Sequence, residues 1–316
     1  MTDLLAVKTE ILSSEYNESL PEAGKKKYSV SEQFRLLAEV TKLRITALVS
    51  FTTGLGYILA NEGLGINIIY PVTGIFFLAC GSAALNHLQE KNLDMMMDRT
   101  KSRPLPSGKT GILFYLLVIL FFSISGILIL LLKTNIATLS IGLITYFWYN
   151  AVYTPLKRKS ALAVIPGSIV GALPPLAGWT AAGGDITDFR VLYLCFYFFL
   201  WQIPHFWLLL LVYADDYKKG GFPVLTDIMN VKSLKVMTFL WIVLTFLISS
   251  GIPFAGIVDH LPVKIIMLIS GLFLILSGIR FILSGISRKS VFSMFISINI
   301  FTLLIILLLS LDKIII

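Results

Sequence analysis

Asn86, Glu90, Asp94 and Asp98 follow one another at intervals of four residues. An α-helix turns by about 100° per residue, so each step of four drifts by only about 40° and the four side chains share one broad face. Like charges at that spacing destabilise a helix, so such a face calls for a positive partner. Carboxylate and amide oxygens are ligands for hard cations, and Mg2+ typically takes one or two carboxylates together with substrate phosphates. Arg99, Lys101 and Arg103 follow directly, ahead of Pro104-Leu105-Pro106. Arginine suits bidentate contact with phosphate. Acids for a cation beside arginines for phosphate describe a diphosphate site. No GxxxxGK[ST] is present, which sets it apart from a P-loop. The competing reading is a solvated helix end whose acids pair with Lys91, Arg99 and Lys101.

Three further groups carry chemistry. Asp215 and Asp216 form a second acidic pair, read here as lying in a loop on the same membrane side as the first stripe. Two facing acidic patches suit two Mg2+ around one diphosphate. Lys157 and Arg158 lie in a basic turn and suit neutralisation of a leaving diphosphate; membrane topology alone also explains them. Tyr149 and Tyr153, one turn apart, suit cation–π stabilisation of a developing carbocation, or equally an interfacial aromatic belt. His205 lies about two turns inside an apolar run, just after Pro204, which can kink a helix and free backbone groups. An ionisable group at that depth is a functional candidate, and a neutral imidazole suits iron. A hydrogen bond inside the bundle is the alternative. Cys80 and Cys195 fit no metal spacing and read as packing residues.

The elements that must position these residues are transmembrane helices. Hydrophobic residues make up 56% of the 316 and charged residues only 14%, against about 25% charged in soluble proteins. Mean hydropathy is +0.85. Runs of roughly 20 apolar residues, the length that crosses a bilayer, occur at about 45–61, 67–88, 111–132, 135–153, 161–182, 191–212, 234–254, 261–283 and 290–311. The expected fold is an all-α polytopic bundle of nine spans over 41–316. Residues 1–40 are expected to supply a flexible tail without a signal peptide, followed by an amphipathic surface helix over 31–42 with Phe34, Leu37 and Val40 on its apolar side. In span five, Pro166-Gly167 and Gly171 through Gly178 predict close packing and local unwinding.

Of 26 Lys and Arg, all but Lys133, Arg190, Lys264 and Lys313 fall on one side when the spans alternate. The positive-inside rule puts that side, and the N-terminus, in the cytoplasm and the C-terminus outside. The same asymmetry accounts for the net charge of +8 without a nucleic-acid partner.

At these residues the chain resembles the UbiA superfamily of intramembrane prenyltransferases, and within it the branch that farnesylates haem. The matching stretches are Asn86-x3-Glu90-x3-Asp94, Arg99 to Pro106, Tyr153 to Arg158, Pro166-Gly167 through Gly178, Trp201-Gln202-x-Pro204-His205-Phe206-Trp207, and Asp216-Tyr217-x3-Gly221-x-Pro223. Leu43 departs from the family's usual Lys-Pro-Arg before the first span. The resemblance implies a nine-helix bundle of a bacterial inner membrane that takes farnesyl diphosphate and haem B and releases haem O and diphosphate. It implies Mg2+ on Asn86, Glu90, Asp94, Asp215 and Asp216. Arg103, Lys157 and Arg158 would neutralise the leaving group, and Tyr149 and Tyr153 would face the allylic cation. His205 would contact the haem iron. A haem A synthase or a terminal oxidase would take the product. A quinone-precursor acceptor is the alternative within the superfamily. A transporter is disfavoured because the acids cluster at one face rather than at the midplane.

Overall fold

The computed structural model describes residues 29–285 and 287–314; the tail expected over 1–30 lies outside them except for its last two residues. Among the described residues every regular element is helical. The first helix, α1 (Val30–Val40), opens on a capping box: the Ser29 amide donates to Glu32 at 2.8 Å and the Glu32 amide to the Ser29 hydroxyl at 3.3 Å. Phe34, expected on its apolar side, is exposed.

From Ala38 onward the chain is one compact unit. Its long helices are α2 (Leu43–Asn61), α3 (Ile69–Asp94), α4 (Ile112–Lys133), α5 (Ile136–Phe147), α6 (Ile169–Ala181), α7 (Phe189–Lys219), α8 (Val231–Gly251), α9 (Leu261–Leu283) and α10 (Arg288–Ile314). Among the described residues, eight runs are long and apolar enough to cross a membrane by themselves. The ninth crossing is composite: α5 runs on through a π-helical segment, Trp148–Tyr153, into a turn at Thr154–Leu156. Packing passes around a ring. α2 packs on α3, α6 and α10, and α7 on α6, α8 and α10, so the last helix closes against α2.

Small residues set the closest approach, between α2 and α6. A Cβ on Gly56 would lie 1.8 Å from the Pro175 carbonyl oxygen, and one on Gly178 1.8 Å from that of Thr53. The backbones touch there, as membrane bundles lacking a hydrophobic drive between helices require. Pro174 and Pro175 sit inside α6 without breaking it; the interruption falls at Ser168, just before it. Outer faces such as Leu113, Leu117 and Phe121 of α4 stay exposed, as lipid-facing surface does.

Three expectations about helix ends need correction. α3 ends at Asp94, so the stripe expected to be helical through Asp98 is helical only through Asp94; Asp98 lies beyond it, exposed, on Lys101 and Lys219. α7 continues to Lys219, so Asp215 and Asp216 are helical residues rather than loop residues. Pro204 leaves α7 helical, and the irregular residue is Tyr213 (φ −121°, ψ 18°). Hydropathy marks where a helix leaves the apolar layer, not where its hydrogen-bond ladder stops.

Candidate active site

The last three turns of α3 bring Asn86, Glu90 and Asp94 into the bundle, where each is almost wholly buried, at 0%, 4% and 1% exposure. A buried carboxylate is costly without a charged, hydrogen-bonded partner. Three distant segments supply the partners. Lys42, at the N-terminus of α2, donates from Nζ to Asn86 Oδ1 at 2.7 Å. Lys157, after the π segment, places Nζ 2.6 Å from Glu90 Oε1. Arg103, in the loop after α3, donates from Nη1 to Asp94 Oδ2 at 2.6 Å. Asn86, Glu90 and Asp94 are therefore drawn into the bundle, and the competing reading of a solvated helix end holds only for Asp98, exposed on Lys101.

Lys42 carries no local signal beyond its charge, and its tie to Asn86 is what sequence reasoning missed. Its backbone is left-handed (φ 50°, ψ 46°), a conformation that costs a non-glycine residue about 1–2 kcal/mol. Burial, with Arg103 and Lys157 nearby, pushes its ammonium down to about 7. Its Nζ also lies 3.4 Å from the Tyr149 hydroxyl. Tyr149 and Tyr153 pair at 5.8 Å between ring centroids. Lys157 Nζ stands 5.6 Å from the Tyr153 ring and 5.7 Å from that of Phe222. The two tyrosines thus lie beside Lys42 and Lys157.

The other candidates fall elsewhere. Arg158 donates from Nη2 to the Gln89 carbonyl at 2.5 Å, covering a backbone acceptor in the last turns of α3. Asp216 accepts from the Asp98 amide at 2.7 Å and the Arg99 amide at 3.4 Å; Asp215 is exposed. The second acidic pair is therefore tied to the loop after α3 rather than to the stripe. Arg99 lies over the rings of Tyr213 and Tyr217, at 5.3 and 5.7 Å. His205 packs among the rings of Trp201 and Phe295, both at 4.9 Å, and Phe206 at 5.3 Å. Its Nδ1 is buried without a hydrogen-bond partner among the described residues. His87 is buried beside Asn86 and faces Tyr115 at 6.2 Å.

The donor set fits Mg2+. Asn86, Glu90 and Asp94 present hard oxygens on one face, and Asp94 Oδ1 is buried with no hydrogen-bond partner among the described residues. Among those residues no three His, Cys, Asp or Glu gather as a closed metal cage. Two carboxylates and an amide are instead the open set that Mg2+ completes with substrate phosphate oxygens.

A family model, the UbiA prenyltransferase family, matches residues 48–299. A protein of Christiangramia forsetii named protoheme IX farnesyltransferase is 34% identical over 272 residues, covering 84% of this chain and 89% of its own. One of the same name from Geobacter sulfurreducens is 39% identical over 183 residues, covering 58% and 67%. Among solved structures, a digeranylgeranylglyceryl phosphate synthase superposes with a TM-score of 0.72 at 18% identity, over 90% of this chain and all of its own. A UbiA homologue from Archaeoglobus fulgidus bound to GPP and Mg2+ superposes with 0.65 at 12%, over 87% and 99%. These two likenesses show the fold.

Proposed function

The chain belongs to the UbiA prenyltransferase family, and we propose that it transfers the farnesyl group of farnesyl diphosphate to a vinyl group of haem B. The single observation that carries this reading is the trio of ties joining Lys42, Lys157 and Arg103 to Asn86, Glu90 and Asp94. It supports the reading because amide and carboxylate oxygens meet three basic side chains at one place in the bundle. The choice of haem as acceptor rests on the relatives' name and on the run Trp201 to Trp207.

Asn86, Glu90 and Asp94 would hold Mg2+, with Asp215 and Asp216 as the donors of a second ion. When bound, Mg2+ supplies positive charge to the diphosphate oxygens and so weakens the bond to the farnesyl carbon. Lys42, Arg103 and Lys157 exchange their carboxylate and amide partners for diphosphate oxygens, and Arg158 adds charge at the same membrane end. Preorganised charge aimed at the leaving group is the largest single term in such a site. The bond between farnesyl C1 and the diphosphate oxygen breaks, and the electron pair leaves with diphosphate. The terminal vinyl carbon bonds to C1. Water adds to the adjacent carbon and loses a proton to solvent, giving the hydroxyethylfarnesyl side chain of haem O. Tyr149 and Tyr153 offer ring faces to the allylic cation. His205, with its unpartnered nitrogen in an aromatic pocket, contacts the haem iron.

The domain is proposed to span 41–316, with 1–40 as tail and surface helix. The site end faces the cytoplasm of a bacterial inner membrane and the C-terminus lies outside, by the charge asymmetry of the loops. A haem A synthase or a terminal oxidase receives the product. The test is product analysis with haem B, farnesyl diphosphate and Mg2+, wild type beside Asp94→Ala. A Mg2+-dependent mass gain of farnesyl plus water, lost in the variant, is expected. Turnover of a quinone precursor in place of haem would overturn the acceptor assignment. No turnover of farnesyl diphosphate with either acceptor would overturn the reading.

A further inference from the structure

Resting on that reading of the metal site, we infer that Thr154 is a positioning residue that decides which atom of Asn86 faces the cation. An asparagine amide offers an acceptor on one side and a donor on the other. Only the oxygen can ligate a metal. The hydrogen-bond directions around Asn86 settle its orientation. As an ammonium, Lys42 Nζ has only protons to give, and the atom it meets at 2.7 Å is Oδ1. Nδ2 therefore points the opposite way and donates to Thr154 Oγ1 at 3.0 Å, a buried contact. For the threonine oxygen to accept, its own proton must go elsewhere. It goes to the Tyr149 carbonyl at 2.8 Å.

That carbonyl is in reach because the chain is π-helical there. Tyr149 lies five residues before Thr154, and its oxygen takes both the backbone amide and the hydroxyl of Thr154. The wide turn thus orients a one-way chain: Thr154 to Tyr149, Asn86 to Thr154, Lys42 to Asn86. Reversing the amide would aim its NH2 at the Lys42 ammonium and at the cation, donor against donor. Two further ties hold α3 to the same segment, Asn150 Nδ2 to Ser82 Oγ at 2.6 Å and Gln89 Nε2 to the Asn150 carbonyl at 3.1 Å. Neither touches a proposed ligand. Thr154 does, and it reaches no substrate-facing atom itself; it is 1% exposed.

The test titrates Mn2+, by the EPR signal of the free ion, into purified protein in detergent saturated with a non-hydrolysable farnesyl diphosphate analogue. Partners that orient a metal ligand are worth about 10–100-fold in metal affinity. Thr154→Val removes the hydroxyl at constant shape and is expected to weaken Mn2+ binding by about that factor. Thr154→Ser keeps the acceptor and is expected to restore binding to within about threefold. Thr154→Ala replaces the valine variant if that one does not fold. The decisive arm is the Asn86→Asp background, where both side-chain atoms are oxygens and no orientation needs choosing. There Thr154→Val is expected to cost less than about threefold, which a general packing role would not produce. Equal Mn2+ affinity in wild type and Thr154→Val, or the full penalty persisting in the Asn86→Asp background, overturns this inference alone. Wild-type binding that survives Asp94→Ala, or no wild-type binding at all, overturns the metal site beneath it.

Discussion

The two ends of the bundle each bury acidic side chains, and they satisfy them in opposite ways. At the far end, Asp312 in the last turn of α10 is 2% exposed. It accepts from the backbone amides of Asp259 at 2.9 Å and His260 at 3.1 Å, and from the His260 ring at 3.1 Å. Those amides belong to the chain just before α9 and cannot leave without unfolding it. At the site end, Glu90 and Asp94 meet the tips of Lys157 and Arg103, long side chains carried by separate loops. One oxygen of Asp94 has no hydrogen-bond partner among the described residues. Held by the backbone amides of a helix junction, Asp312 is structural. A carboxylate held by flexible cations is exchangeable, and exchange is what binding a metal and a diphosphate requires.

The comparison predicts opposite effects of the same chemical change. Asp94→Asn is expected to lower kcat/KM for prenyl transfer by about 1000-fold, the scale of losing a preorganised charged group. Its thermal midpoint in detergent should move far less than its activity; comparable losses of both would break the contrast. Asp312→Asn is expected to cost about 2–3 kcal/mol of stability, the scale of charged hydrogen bonds to buried groups. Its kcat per folded molecule should stay within about twofold of wild type, and a large kcat loss would break the contrast from the other side.

A smaller effect sharpens it. Lys42→Met removes one exchangeable cation and leaves both carboxylates paired. The KM for farnesyl diphosphate is expected to rise about 10-fold, equivalent to about 1.4 kcal/mol, with kcat changing less; steady-state kinetics separate the two. The smallest effect belongs to the far end. The Asp259 carboxyl is held below its ordinary value by its hydrogen bond to Lys313. A depressed carboxylate contributes stability that is present above its unfolded pKa and lost as pH falls through the folded one. A thermal midpoint followed downward from pH 5 should show a small loss below about pH 4 that is absent in Asp259→Asn. The pair is solvent-exposed on one side, so screening by salt should shrink it.

Much of this was legible before any coordinates. Composition and run length demand a membrane bundle, because so little charged surface cannot keep the chain in water. The four-residue spacing puts Asn86, Glu90 and Asp94 on one face, and the match to residues 48–299 bears out the resemblance read from the motifs. Less legible were the helix ends. Asp215 and Asp216 read as loop because they are polar, yet polar residues continue a helix readily once it has left the apolar layer. The kink anticipated at Pro204 occurs instead at Tyr213, whereas the interruption of span five falls at Ser168, directly after the Pro166-Gly167 pair that predicted local unwinding.

What the sequence by itself determined is everything that repeats locally: the apolar runs, the acidic face, the one-sided distribution of lysine and arginine. Hydropathy and helical periodicity are properties of neighbouring residues, so a linear reading captures them. Only the tertiary structure decided which base meets which acid. Lys42 reaches Asn86 across 44 positions and Asp216 reaches the Asp98 amide across 118. No local pattern encodes those partners, because a buried charge is satisfied by whichever opposite group the packing of distant helices brings within about 3 Å.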